Sequence, residues 1–389
     1  MGKSFKDLIL LVTTTVFSTL LIWLPHFLSL SGFLGLDFSN GIANIYRNYD
    51  GLEYVVIAKT FYYPNLIAAV GQSLPANYYA AHFPGYSLAI LALAPFLGFL
   101  KSMIFISLLF TISSVVAFYF LVRNFKLTGH PLALSIVFLF IPARWVIVRS
   151  VGSAEPMFIF LVLMAIYFFL KFENAQKMKF ILLAAGFGSL AQFTRPPGIL
   201  LFIALSFYIL WKLVKTSKDN FFMQFKKYFL SYLPLIFIPF TLLVIFYWYS
   251  ISYQDFFAYF HSGDNIHLTF PPFSLFNKNQ YWVGDIWLED GIYIFILGFL
   301  AGFYLIKKKL YPLAAFVLTY IIASSFVAHR DISRYTLPIF PFALIAFEKV
   351  LTSKEFRLVI IIVLFAIYLY SQNFLIENTA PIPNLELYN

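Results

Sequence analysis

The sequence predicts an all-α protein embedded in a membrane, a polytopic chain of about eleven transmembrane helices within a range of 10–13. Three observations support this fold class. The 389 residues are 61% hydrophobic and only 11% charged, whereas a soluble domain carries about 25% charged residues. Apolar runs of helical length recur along the chain, separated by short polar intervals. Aromatic residues are abundant, with 50 Phe and 26 Tyr, which is typical of lipid-facing and interfacial surfaces.

A helix needs about twenty apolar residues to cross a bilayer. The first run, Leu8–Leu30, is long and lacks a clear cleavage site, so we interpret it as a retained helix rather than a signal peptide. Ten further spans are predicted at 101–121, 132–148, 157–170, 180–193, 198–214, 229–249, 292–306, 312–327, 335–347 and 358–370. Residues 84–100 form another apolar run, which can cross the membrane or re-enter it.

The basic residues predict the orientation, because Lys and Arg collect in cytoplasmic loops. One alternating assignment puts 18 of the 27 basic residues inside, namely Lys3, Lys6, Arg123, Lys126, Lys171, Lys177, Lys179, Lys212, Lys215, Lys218, Lys226, Lys227, Lys307, Lys308, Lys309, Lys349, Lys354 and Arg357. Only five of the 17 acidic residues join them, namely Asp7, Glu173, Asp219, Glu348 and Glu355. The N-terminus is then cytoplasmic and the C-terminus extracytoplasmic, provided that residues 84–100 do not cross fully.

The chain is interpreted as a single transmembrane domain, 1–389, with no internal repeat. It has two long extracytoplasmic loops, 31–83 and 250–290. The polar groups of chemical interest collect on this outer side, which indicates a site open to the outside and to the lipid. The net charge of +10 is explained by the cytoplasmic loops, so no nucleic-acid partner is predicted. The chain contains no cysteine, which excludes disulfides and thiolate metal sites.

The most informative polar stretch is Arg47-Asn48-Tyr49-Asp50-Gly51-Leu52-Glu53-Tyr54 in the first outer loop. Asp50-Gly51 is typical of a turn. From Leu52 the apolar spacing predicts an amphipathic helix on the membrane surface, which would hold Asp50 at the edge of the bilayer. Asp50 is the candidate general base, since a carboxylate there can accept a proton from an acceptor hydroxyl. The alternative is a solvated loop whose acid caps the helix.

The candidate phosphate-binding residues are three arginines. Arg195 lies between two apolar runs, and a charge at membrane depth is a functional candidate by default. Pro196-Pro197 breaks the helix there and frees backbone groups. Arg330 and Arg334 are four residues apart, so one helical face could present both, although Asp331 between them could neutralise either. Arginines bind phosphate through paired hydrogen bonds.

Five further residues are candidates for binding or orienting a substrate. Glu53 follows Asp50 by one helical turn and could orient it, and Tyr54 flanks it. His82 precedes the point where the chain re-enters the membrane, where a structural histidine is the more common case. Glu155 stands before Pro156 at a helix start, where a carboxylate suits the helix dipole. Tyr335 follows Arg334.

Together these residues predict glycosyl transfer on the extracytoplasmic side. Nucleotide sugars are normally absent there, so a polyprenyl phosphate is the expected leaving group. The predicted reaction moves one sugar from a polyprenyl-phosphate donor to a hydroxyl on a lipid, glycan or protein. Membrane lipids are the other expected partners. The identities of the sugar and the acceptor, and the oligomeric state, do not follow from the sequence.

Five fragments of the sequence, in order, resemble the GT-C glycosyltransferases, especially the PIG-V-like GPI mannosyltransferase branch and its prokaryotic relatives. They are Arg47–Tyr54, Phe83-Pro84-Gly85-Tyr86-Ser87, Gly152-Ser153-Ala154-Glu155-Pro156-Met157-Phe158, Phe193-Thr194-Arg195-Pro196-Pro197-Gly198 and Arg334-Tyr335-Thr336-Leu337-Pro338-Ile339-Phe340-Pro341. The chain departs from the pattern where Ala154 separates Ser153 from Glu155 and where the second fragment lacks a second proline. The resemblance implies a GT-C-like first outer loop carrying amphipathic juxtamembrane helices. It also implies mannose or another hexose as the sugar, and an inverting mechanism with Asp50 as the base.

Other functions remain open at this point. A transporter or flippase of lipid-linked sugars would also place charges at membrane depth, but matched broken helices are not evident. A non-catalytic subunit of a glycan-assembly complex and a ligase of whole lipid-linked glycans are the remaining alternatives. His261, Asp264 and His267 have a spacing possible for metal ligands, yet a solvated lid loop is the better interpretation, so no cofactor or metal is predicted.

Overall fold

The computed structural model describes residues 3–70, 74–216, 221–263, 267–280, 282, 287–380 and 384–388. Lys218, Asp219, Asp264 and Asp285 lie outside the described residues. Within the described part, the only sheet is a small antiparallel hairpin of β1 (Ser31–Phe33) and β2 (Leu36–Asp37). The predicted all-α class is therefore confirmed.

Seven described helical segments are long and apolar enough to cross a membrane, and five further apolar segments are shorter. The first half of the described chain forms α1 (Lys3–Phe27), α2 (Ala43–Tyr46), α3 (Gly51–Thr60), α4 (Pro64–Ala69), α5 (Pro84–Leu97), α6 (Phe99–Asn124), α7 (Pro131–Phe140), α8 (Ala143–Val148), α9 (Glu155–Ala175) and α10 (Met178–Thr194). The second half forms α11 (Ile199–Thr216), α12 (Phe221–Tyr232), α13 (Phe237–Ser252), α14 (Trp287–Lys307), α15 (Tyr311–Ser324), α16 (Ile332–Tyr335), α17 (Phe340–Ala346), α18 (Glu348–Leu351) and α19 (Lys354–Glu377).

The run that the sequence could not assign forms α5, which does not cross the bundle. Its first turn packs against the end of α10, because a Cβ on Gly85 would lie 2.7 Å from Thr194 Oγ1. After α5 the chain turns at Gly98 and starts α6 near the first loop, where the Lys59 ammonium lies 4.7 Å from the Phe99 ring centre. Both ends of α5 therefore lie at the same end of the bundle.

Three predicted spans are interrupted in the structure. Residues 132–148 form two helices, α7 and α8, separated at Ile141 and Pro142. Residues 229–249 lie in α12, a 3-10 turn at Leu233–Ile236 and α13. Residues 335–347 lie in α16, a 3-10 turn at Leu337–Ile339 and α17. Proline lacks a backbone N–H and restricts the residue before it, which explains why the helices break near Pro142, Pro234 and Pro338. The predictions of continuous helices were wrong at these three places.

The helix after Asp50 differs from its prediction as well. Eight of the ten residues of α3 are buried, so α3 is enclosed by neighbouring helices instead of resting one apolar face on the membrane. Around it packs an apolar cluster that includes Ile22 of α1, Met103 of α6 and Leu375 of α19. The prediction of a surface helix beginning at Leu52 was wrong. The pattern of apolar residues within one short segment does not show which other helices pack around it. The next helix, α4, is mostly exposed.

The two ends of the bundle carry different groups. α9 begins at Glu155 and runs past Lys171, α10 returns from Lys177 to Arg195, and α11 runs back to Lys215. The backbone of Ala380, after α19, donates to the carbonyl of Arg47 at 2.9 Å, so the C-terminal segment lies at the end of the first outer loop. The lysine-rich end and the Glu155 end are thus opposite, as the charge pattern predicts. Which end faces the cytoplasm stays a prediction.

Candidate active site

Asp50 is the residue that precedes α3, and close backbone packing positions it. A Cβ on the next residue, Gly51, would lie 2.8 Å from the carbonyl oxygen of Gly152 and 2.9 Å from Met103 Sδ. Only glycine allows α3 to approach the segment before α9 so closely. The Asp50 side chain is 32% exposed. Its carboxylate is therefore fixed beside the bundle but remains accessible.

Arg334 connects Asp50 to the second carboxylate of the site. Its Nη2 donates to Asp50 Oδ2 at 2.5 Å, and its Nε donates to Glu155 Oε1 at 2.6 Å. Arg334 lies in the last turn of α16, which ends at Tyr335, and its side chain is only 7% exposed. A planar guanidinium can serve two acids at once because its donors point in fixed, different directions.

Arg195 reaches the same carboxylate from a different part of the bundle. Its Nη1 lies 3.2 Å from Glu155 Oε1. The residue ends α10, and a 3-10 turn at Pro196–Gly198 leads into α11. Gly198 is needed in this turn, because a Cβ there would lie 2.4 Å from Gln192 Cα. The predicted break at Pro196-Pro197 is confirmed, and it turns Arg195 inward rather than into lipid.

Glu155 lies behind the two arginines. It is completely buried, and Ser153 Oγ donates to its Oε2. Glu155 is absent from the lining of the cavity that Asp50, Arg195 and Arg334 face. Its carboxylate therefore does not face this cavity, and its contact with a substrate stays a prediction. Its carboxylate orients the two arginines from the protein side.

That cavity has a volume of about 710 Å³, which is within the range of small-molecule sites. Of the predicted residues it is lined by Asp50, Tyr54, His82, Arg195, Arg330, Arg334 and Tyr335. Its apolar lining residues include Pro196, Pro197, Leu200 and Val327, which we call the apolar wall. Arg47 also lines the cavity, together with Glu377, the last residue of α19, and residues 378–380. The predicted convergence of Asp50, Arg195 and Arg334 on one cavity is thus present.

Electrostatics holds Asp50 in its ionised form. Burial raises the pKa of the Asp50 carboxyl, but the charge of Arg334 and its hydrogen bond outweigh burial and hold the pKa well below its usual range. His82 Nε2 lies 3.9 Å from Asp50 Oδ2. Burial lowers the pKa of His82, which favours the neutral ring. Tyr54 packs edge-on against His82, with ring centres 5.2 Å apart.

Glu53 does not line the cavity. One of its carboxyl oxygens, Oε2, is buried without a hydrogen-bond partner. Burial, together with the negative charge of Asp50, raises the pKa of Glu53 to about 8. Glu53 is therefore a largely protonated acid next to an ionised one, and it does not reach the cavity as the sequence prediction required.

The second arginine cluster also differs from its prediction. Arg330 lies before α16 and is exposed, whereas Arg334 lies within α16, so one helical face does not present both. Asp331 forms an ion pair at 3.5 Å with Arg144. Tyr335 lines the cavity beside His329, with ring centres 5.3 Å apart.

Sequence reasoning missed several residues of the site. The Arg334 guanidinium lies 4.2 Å from the ring centre of Tyr49. The Tyr49 hydroxyl in turn accepts a 3.0 Å hydrogen bond from Arg144 Nη1. A charge after Pro142, inside an otherwise apolar run, was a usable signal for Arg144. His267, which the sequence offered only as a possible metal ligand, lines the cavity with its ring centre 4.3 Å from that of His329.

Two other polar groups that the sequence placed outside have partners in the structure. Arg149 is fully buried and donates to Leu139 O, Thr19 Oγ1 and Ser18 Oγ. The two histidines considered as metal ligands have different partners, because His261 Nδ1 pairs with Asp255 at 2.5 Å while His267 packs on His329. Among the described residues, no group of three or more His, Cys, Asp or Glu could hold a metal ion.

The helical bundle defines the class of this protein: it is a polytopic membrane protein with the GT-C fold. The structure that shows this is the crystal structure of ArnT from Cupriavidus metallidurans bound to undecaprenyl phosphate. Its TM-score is 0.54 at 14% sequence identity, over 86% of this chain and 59% of that chain.

A second similarity is to the S. cerevisiae protein O-mannosyltransferase Pmt1-Pmt2 complex bound to the sugar donor, with 16% identity over 72% of this chain and 38% of that chain. Its TM-score of 0.45 is too low to add to the argument. The chain spans less than two thirds of either structure. No family model and no curated protein sequence matches the chain. The PIG-V-like branch stays a prediction.

Proposed function

We propose that this protein is an inverting glycosyltransferase that moves one sugar, mannose or another hexose, from a polyprenyl-phosphate donor to a hydroxyl acceptor on the extracytoplasmic face. One observation carries the proposal. An ionised, partly exposed carboxylate, Asp50, shares a cavity with two arginines, Arg195 and Arg334, and the cavity has an apolar wall.

The three side chains match the charges of the reaction. The acceptor oxygen attacks the anomeric carbon while the bond from that carbon to the phosphate oxygen breaks. Asp50 takes the proton of the acceptor hydroxyl. The polyprenyl phosphate leaves with the electron pair of the broken bond, and Arg195 and Arg334 stabilise its added negative charge. Attack from the side opposite the phosphate inverts the configuration.

The current pairing of Arg334 has a consequence for the base. The guanidinium holds the pKa of Asp50 low, which makes the carboxylate a weak proton acceptor. A donor phosphate competes for the same guanidinium, so its arrival weakens the hydrogen bond between Arg334 and Asp50. The pKa of Asp50 then rises when the donor is bound, so Asp50 becomes a better base at the stage when the acceptor hydroxyl has to be deprotonated.

The apolar wall supports a lipid-borne donor. Pro196, Pro197 and Leu200 continue from Arg195 into α11, one of the helices suited to crossing a membrane. A polyprenyl chain beside these residues would bring its phosphate to Arg195. The shared fold with ArnT, whose structure contains undecaprenyl phosphate, is consistent with such a donor. The acceptor is a lipid, glycan or protein hydroxyl.

The test is a transfer assay with a panel of polyprenyl-phosphate hexoses and the purified chain. We expect at least one donor to be used, with inversion at the anomeric carbon. Asp50→Asn should reduce turnover about a hundred- to ten-thousand-fold while equilibrium binding of the donor is retained, because both arginines remain. Asp37→Asn, an exposed acid of the same loop, is the matched control. Wild-type turnover in Asp50→Asn would exclude Asp50 as the base, and no transfer of any donor by the wild type would refute the proposed function.

A further inference from the structure

The C-terminal segment closes one side of the cavity. We call residues 377–380 the C-terminal strap. Thr379 forms a β-bridge with Asn48, and Asn48 Nδ2 donates to Leu375 O at 2.9 Å. The Asn378 side chain also donates to Asn48 Oδ1 at 3.3 Å. The strap thus holds the backbone just before Asp50 and lines the cavity together with Arg47.

Arg47 differs from Arg195 and Arg334, the two arginines grouped with Asp50. Arg334 has two carboxylate partners and Arg195 has one. Arg47 lines the same cavity, but no carboxylate oxygen in the described part of the chain lies within 4.0 Å of its guanidinium. A partly buried charge without a partner of opposite charge is costly. The Arg47 guanidinium is therefore suited to an anion that comes from outside the chain.

Arg47 and Arg195 come from different parts of the chain. Arg195 is followed directly by Pro196 and Pro197 of the apolar wall, whereas the Arg47 carbonyl accepts a hydrogen bond from Ala380 N of the strap. Arg47 is three residues before Asp50 in the same loop. A ligand group bound by Arg47 would therefore lie close to the base. The acceptor hydroxyl has to come close to Asp50, so an acceptor group bound at Arg47 would lie near the base.

We propose that Arg47 and the C-terminal strap form an acceptor subsite, and that the acceptor carries an anionic group, a carboxylate or a phosphate, close to the hydroxyl that receives the sugar. This inference rests on the proposed function for the role of the ligand as acceptor. The binding preference itself does not depend on any transfer step. The anion comes either from an acidic sugar or from a phospholipid headgroup.

The test measures equilibrium binding to the full chain saturated with undecaprenyl phosphate, so that the donor arginines are occupied. The probes are methyl β-glucuronide as the acidic sugar, glycerophosphoglycerol as the phosphate headgroup, and methyl β-glucoside as the neutral reference. We expect the wild type to bind at least one anionic probe about ten- to a hundred-fold more tightly than the reference. The better anionic probe identifies the source of the anion.

Arg47→Gln should abolish this preference, and Arg47→Lys should keep part of it. The fold should survive both changes, because the hydrogen bonds recorded for Arg47 use its backbone. Arg357→Gln, an exposed arginine at the far end of α19, should bind like the wild type. The proposal is overturned if the wild type shows no anion preference, if Arg47→Gln retains it, or if Arg357→Gln loses it equally. Because no sugar is transferred, such a failure is distinct from a failed transfer assay.

Discussion

The carboxylate of Glu155 holds Arg195 and Arg334 in place. Both pair with its Oε1 in a site from which solvent is excluded. Removing one partner of a buried ion pair typically costs about 3–5 kcal/mol, because the other charge remains buried. We expect Glu155→Gln to lower the thermal stability of the protein. We also expect undecaprenyl phosphate to restore more stability in this variant than in the wild type, since the phosphate supplies the missing negative charge.

A matched control exists on the same helix. Glu173, near the other end of α9, accepts from Tyr208 at 2.6 Å and pairs with Lys212 at 2.5 Å. Glu173→Gln should also destabilise the protein, but undecaprenyl phosphate should stabilise it no more than it stabilises the wild type. Thermal unfolding with and without the lipid measures both effects. An equal lipid effect in the two variants would contradict the assigned role of Glu155.

Glu53 should make stability depend on pH. Its pKa is about 8 in the folded protein against an ordinary value of 4.5, so between these values the folded state binds more protons than the unfolded state. The stabilisation is therefore fully present below pH 4.5 and is lost as the pH rises through 8. The glutamine in Glu53→Gln does not titrate. The melting temperature of this variant, measured relative to that of the wild type, should therefore rise between pH 5 and pH 8.5. A difference between Glu53→Gln and the wild type that stays constant over this pH range would refute the account.

The contact between α5 and α10 is an element-level feature on which the site depends. Gly85 lies so close to α10 that a Cβ would come within 2.9 Å of Thr194 Cα and 3.0 Å of Phe193 O. These are backbone atoms next to Arg195, so they cannot move without moving it. We expect Gly85→Ala to lower stability and to weaken binding of undecaprenyl phosphate. Gly186→Ala is the control on α10, because nothing lies within 4 Å of its added Cβ; unchanged lipid binding in Gly85→Ala would show that the contact does not position Arg195.

The orientation of the whole bundle can be tested directly, since the chain has no cysteine of its own. Asn40 lies in the first loop near the site end, and Lys307 ends α14 at the lysine-rich end; both are exposed. In intact cells, a membrane-impermeant maleimide should label Asn40→Cys at once. It should label Lys307→Cys only after the membrane is permeabilised, because basic loops stay in the cytoplasm. The reverse pattern would place the cavity in the cytoplasm and remove the reason for a lipid-borne donor.

Local sequence patterns determined the membrane class, the separation of lysines from acids, and the candidates Asp50, Arg195 and Arg334. Those properties depend on hydropathy, loop charge and proline breaks, which act within one or two turns of chain. The prediction of a continuous helix failed where a proline lay inside an apolar run, as at Pro142, because the run was long enough to be one helix.

Only the tertiary structure decided which groups meet. Arg334 and Asp50 are 284 residues apart in sequence, and their contact depends on how α16 packs beside the first loop. The same packing places Glu155 behind the arginines and pairs Asp331 with Arg144. It also buries α3 and places the C-terminal strap beside Arg47. A sequence pattern records what each side chain can do. Which charge lies beside which, and how much water remains between them, is set by the packing of helices that are distant along the chain.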